Sequence, residues 1–111
     1  MNGEVDMVGR IWHGYTTPEK ADDYFRILTS EVIPGIAAMK LPGYHSIQVL
    51  RREMADEVEF ITIMWFDSLE NIKSFTGADY EVAHVPAPAR EVLKRFDPRS
   101  QHYELIHQQE Y

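Results

Sequence analysis

The chain has 111 residues, no cysteine and a formal charge of -7, from 18 acidic and 11 basic side chains. A single domain of this size buries roughly 60 to 70% of its unfolded surface and folds without staples, and the missing cysteine excludes disulfides, thiolate metal sites, iron–sulfur clusters and a cysteine nucleophile. The acidic balance, unbroken by any basic stripe beyond Arg51 and Arg52, argues against nucleic acid, whose phosphates demand the opposite field.

Residues 1–7 are polar or small without periodicity and read as a flexible tail. The N-terminus has neither a basic start nor a long apolar core, and no run approaches the roughly 20 apolar residues of a membrane span. A cytoplasmic protein with no membrane partner is therefore expected. The first strand is Val8 to Tyr15, with Arg10, Trp12 and Gly14 on one face and Ile11, His13 and Tyr15 on the other. A helix starts after it, capped either by a Thr16–Glu19 box or by Thr17 with Pro18 at the first position. Ala21, Tyr24, Phe25, Leu28 and Val32 form its apolar stripe. Pro34 and Gly35 should end or kink it near Val32, with IAAMK adding a further turn.

Leu41, Pro42 and Gly43 make a turn into a second strand, Tyr44 to Arg52, whose mixed polarity suits a sheet edge. Residues 53–57 are a hairpin connection, so the third strand, Val58 to Phe66, is its antiparallel neighbour. That third strand is apolar on nearly every position of both faces and must be covered twice. Helices of the same chain can cover one face; a second copy is the expected cover for the other. A second helix follows, capped by Asp67 with Glu70 or by Ser68 with Asn71, and closed by Gly77. Asp79 to His84 could add a turn or two, Ala89 to Phe96 reads as a short third helix, and Gln101 to His107 as the last strand, with 108–111 an extension. The order βαββαβ predicts an α+β, ferredoxin-like sandwich: a four-stranded antiparallel sheet with helices on one face, and two-fold dimerisation through the bare one.

This order, with MWFDSLENIKSF, the following ADYEVAH and the late HYEL, resembles the antibiotic biosynthesis monooxygenase family of the dimeric α+β barrel superfamily, over residues 8–107. The resemblance implies a homodimer with a pocket in each subunit between sheet and helices. Some members oxidise polycyclic phenols with O2 and no cofactor, and others degrade haem. Laid on the haem-degrading pattern, His84 matches the iron-ligating histidine, whereas the tryptophan position falls at Ser74 or Phe75 and the asparagine position near Trp12 or His13.

The residues able to carry chemistry are few. His84, between a helical segment and a proline-rich bend, is the first choice of base, because a neutral imidazole titrates near physiological pH, with Tyr80 or His13 in reserve. Its bland reading is an exposed or helix-terminal histidine. Trp12, Trp65 and Phe75 can wall an aromatic pocket, or be ordinary core and interface residues; Arg10 can hold a substrate anion, or pair with a carboxylate. His102 and His107 stand on opposite faces of one strand and cannot share a metal, and no ligand motif indicates a metal site. The function expected is cofactor-independent oxygenation of a small aromatic or phenolic molecule. The alternative is a non-enzymatic dimer that binds a planar hydrophobic molecule such as haem.

Overall fold

The computed structural model describes residues 7–111. The tail expected over 1–7 lies outside these residues except for Met7, which already belongs to the first strand. Strand β1 spans Met7–Thr16, β2 Tyr44–Glu53 and β3 Val58–Phe66. Two further strands, β4 (Arg95–Phe96) and β5 (Gln101–Leu105), pair with different stretches of β1. The sheet order is β2, β3, β1, then β4 and β5 in succession along one edge, with every pairing antiparallel.

The sandwich is thus α+β with ferredoxin-like strand order, as the sequence predicts, but with five strands instead of four. Phe96, expected in a helix, belongs to β4. Pro98 lacks the amide proton a ladder needs, so the chain leaves the edge at Asp97 and rejoins it at Gln101.

The first helical region begins with a 3-10 turn, Pro18–Lys20, and continues as α1 (Ala21–Ile27), a π-helical stretch (Leu28–Val32) and α2 (Ile33–Ala38). Thr17 caps its start without a side-chain bond, and Thr16 is a buried strand residue, so no Thr16–Glu19 box forms. The expected stop near Val32 does not occur. The wider π turn makes room for Pro34, and the hydroxyls of Thr29 and Ser30 bond back to the carbonyls of Phe25 (2.9 Å) and Arg26 (2.5 Å). Helix α3 (Leu69–Thr76) starts at Ser68, whose Oγ accepts from the Asn71 amide, and closes at Gly77 with φ 91°. Residues 79–84 run without a helix, and a short α4 covers Ala87–Val92.

All helices lie on one face of the sheet. There Trp12, Phe60, Met64 and Phe66 pack against Tyr24, Leu28, Ile36, Ile72 and Phe75 as one core. Phe25, counted in the helix stripe, points outward, and Ile27 takes a buried place instead. On β2 a bulge at His45 returns Tyr44 to the helix side beside Ile47, correcting the plain alternation. The opposite face of the sheet carries Ile11, Leu50, Ile61, Ile63, Trp65 and Tyr103. On β3 that face is only half-buried while the helix face is wholly buried, so the strand expected to need two covers has one.

Candidate functional site

Strand parity places Arg10 and Trp12 on the helix face of β1, opposite Met64 and Thr62 of β3. Trp12 lies flat because Gly14, two residues on, has no side chain: a Cβ there would stand 2.4 Å from the indole ring. The indole N–H donates to the Asp97 carbonyl at 2.9 Å, fixing the ring's angle. Phe75 projects from α3 toward the same space.

Between Gly77 and α4 the chain turns over residues 78–81 and then runs without regular structure, tied to the approach of β5. The Ser100 amide donates to the Glu81 carbonyl (2.6 Å) and the Ala83 amide to the Pro98 carbonyl (3.0 Å), while Arg99 pairs with Asp79 (2.6 Å) and Glu81 (3.2 Å). These bonds set His84 at the mouth of a pocket, its ring 4.8 Å from that of Phe75 and the residue exposed to solvent, as the bland reading expects. Arg10, Trp12, Phe75 and His84 all line this pocket, with Leu28 and Ile36 completing the helix side. Its enclosed volume is about 40 Å³.

Arg10 is only 3% exposed. Its guanidinium donates to the Tyr80 carbonyl (2.5 Å), the Val82 carbonyl (2.7 Å) and His102 Nε2 (3.0 Å), and lies 5.3 Å from the centre of the Phe75 ring. Among the described residues no carboxylate comes within ion-pair distance of it, so the salt bridge weighed from the sequence does not form. Burial without a counter-ion pushes its pKa down to about 10, still far above neutrality. The same cation acts on its neighbours. Burial, and then Arg10, lowers the pKa of His84, and the same two causes bring His102 down to about 4. Both imidazoles are therefore neutral at pH 7, and His84 makes no side-chain hydrogen bond among the described residues. A neutral, unbonded imidazole beside a fixed cation is chemically a proton acceptor for an acid whose anion the cation stabilises.

The other residues singled out from the sequence sit elsewhere. Tyr80 contributes its carbonyl to Arg10 and packs its ring 5.2 Å from that of His102, behind the pocket wall. His13 and Trp65 are on the bare face of the sheet. His13 Nδ1 is 2.9 Å from Asp97 Oδ2 and lines an open concavity of about 440 Å³ with Ile11, Ile61 and Ile63, whereas Trp65 donates to the Gln48 side chain at 3.1 Å. The site thus brings together four of the seven residues. Sequence reasoning missed Ser100, Thr62 and the holding role of Asp97. A buried serine just before a strand carries no local signal, and Asp97 sits in a Pro-containing turn that reads only as a turn. No cluster able to hold a metal occurs among the described residues, and no helix is long and apolar enough to cross a membrane.

No family model and no curated protein matches the chain. Solved structures do. A Bacillus cereus protein classed with the antibiotic biosynthesis monooxygenases superposes with a TM-score of 0.67 at 15% identity, over 95% of this chain and 98% of that one. The ActVA-Orf6 monooxygenase of Streptomyces coelicolor, solved with the ligand nanaomycin D, gives 0.57 at 15% identity, over 96% and 91%. SnoaB, a cofactor-independent oxygenase of Streptomyces nogalater, gives 0.52 at 16%, over 96% and 97%. A NIPSNAP family protein of Agrobacterium tumefaciens shares the architecture as well. End to end, the chain has the fold of the antibiotic biosynthesis monooxygenases.

Proposed function

We propose that the protein is a cofactor-independent monooxygenase that oxidises a small aromatic or phenolic substrate at the mouth of the helix-side pocket. The observation that carries this reading is the meeting of His84 and Arg10 in one aromatic-walled pocket, the first a neutral imidazole and the second a buried cation, neither with a carboxylate partner among the described residues. His84 Nε2 or Nδ1 takes the phenolic proton, and the resulting phenolate is rich enough in electrons to react with O2 at a ring carbon. One oxygen stays as a quinone carbonyl and the other leaves as water, with all four electrons drawn from the substrate. Trp12 and Phe75 orient the ring, and Arg10 stabilises the anion as it forms. Similar folds solved as oxygenases support the assignment. Oxygen uptake measured against a panel of phenols and hydroquinones tests it. At least one is turned over, and His84→Ala lowers its rate by about 10²- to 10⁴-fold. No uptake with any member contradicts it.

The working form in this reading is a cytoplasmic homodimer. Its support is the bare sheet face, where Ile11, Ile61 and Ile63 are only half covered by the chain itself.

A second reading, a non-enzymatic binding protein for a planar molecule such as haem, draws on a different observation. The enclosed volume of about 40 Å³ is far below the roughly 300 Å³ of ordinary ligand pockets, so a large ring would lie across the mouth against His84. The haem-degrading pattern is only partly met, because Ser74 or Phe75 stands where it has tryptophan. A Soret band on haem titration, lost in His84→Ala, supports this reading; an unchanged spectrum removes it.

A further inference from the structure

The closed end of the pocket has one sign of charge. In a chain with 18 acidic side chains, no Asp or Glu among the described residues lines it, and the one charged group they bring to it is Arg10. Ser100, Thr62 and Tyr24, 3%, 8% and 2% exposed, are the hydroxyl-bearing residues of the same lining. None of these three hydroxyls has a hydrogen-bond partner among the described residues, and burial keeps Tyr24 protonated. Donors thus converge where an unpaired buried charge is costly, an arrangement that a bound anion relieves. Two carbonyls and a neutral His102 already fix the guanidinium, so it presents its remaining edge without reorganising.

Volume decides what kind of anion fits. About 40 Å³ is room for roughly three or four water molecules at ~10–15 Å³ each, enough for the two oxygens of a carboxylate and too little for an aromatic ring. We propose that the substrate is an aromatic carboxylate that enters head first, its carboxylate on Arg10, Ser100 and Thr62 and its ring at the mouth, against the outer side of the Phe75–His84 pair. The permanent charge, not the phenolate formed during reaction, then selects the substrate. A hydroxyl beside the carboxylate on such a ring comes within reach of His84. The inference rests on the site assigned above, but its test reads binding and needs no turnover.

Calorimetric titration with salicylate and with its neutral isostere salicylamide is that test. Salicylate should bind at least about tenfold more tightly, the worth of a charge-assisted pair. Arg10→Met should bring the ratio close to one, and Arg10→Lys, which keeps the charge and loses the fork, should leave a reduced preference. Equal affinities in the unmodified protein, no salicylate binding at millimolar concentration, or a preference that survives Arg10→Met overturns the inference. The first two outcomes need no variant, so a variant that fails to fold leaves the test intact. Oxygen uptake with uncharged phenols alongside equal affinities would sink the carboxylate while sparing the oxygenase; a clear preference without any uptake would do the reverse.

Discussion

Gly14 and His102 are single residues on which the pocket depends without either lining it. A methyl group at Gly14 would overlap the Trp12 indole at 2.4 Å and press on Leu93 at 3.2 Å. Gly14→Ala should therefore tilt the indole off the Asp97 carbonyl and cost about 1 to 3 kcal/mol, read as a lower urea midpoint with changed tryptophan fluorescence. His102 accepts the Arg10 bond through Nε2, which puts its proton on a buried Nδ1 that has no partner. Its folded pKa of about 4 lies below its ordinary 6.5, so the unfolded chain binds the proton first as the pH falls. That contribution to stability is whole above pH 6.5 and is lost as the pH drops toward 4. Urea midpoints across this range should fall more steeply for the unmodified protein than for His102→Gln, which retains an acceptor but does not titrate. At this scale strand parity already separates Arg10 and Trp12 from His13. Which side chain answers Arg10 is a tertiary matter: its partners come from residues 70 or more positions away, and nothing in the local sequence points to carbonyls in place of a carboxylate.

Among the elements, the turn before β2 and the cap of α3 act on one another. Gly43 has φ 73°, and a Cβ on it would meet the Asn71 side chain at 2.5 Å, the same side chain whose Oδ1 accepts from Ser68 Oγ at 2.8 Å. Gly43→Ala should cost about 1 to 2 kcal/mol from the left-handed backbone alone and should also loosen the cap. Ser68→Ala removes the cap directly and should cost about 1 kcal/mol. Thermal unfolding of the two single variants and the double variant checks both, with the double less destabilised than the sum because the residues share Asn71. The turn, the Ser68 cap, the Gly77 stop and the ends of β3 are all legible in the sequence, because each is written by a local rule. The π stretch before Pro34 is not, since no local pattern marks the wider turn by which the helix runs on through a proline. Neither is β4, whose two residues are held by β1 and not by any pattern of their own.

For the whole molecule, the two faces of the sheet have different fates. The helix face is a closed core with a small pocket, whereas the other is a shallow apolar concavity of about 440 Å³ lined by Ile11, Leu50, Ile61, Ile63 and Tyr103. Covering it with a second copy should double the 12.9 kDa mass seen in sedimentation equilibrium, and Ile63→Glu, facing that surface, should return the protein to a monomer. A monomer from the unmodified chain would leave this face to some other cover. That both faces of the sheet are apolar is legible from β3 alone, whose apolar residues fall on both parities; the size of the pocket is not, because it depends on how Trp12, Phe75 and the helices pack. Central to the account is that ligand chemistry takes place on the helix side, at Arg10 and His84. Amide chemical shifts during titration with salicylate test this most directly: the resonances of Arg10, Phe75, His84 and Ser100 should move together, and shifts confined to His13, Ile61, Ile63 and Trp65 on the other face would contradict it.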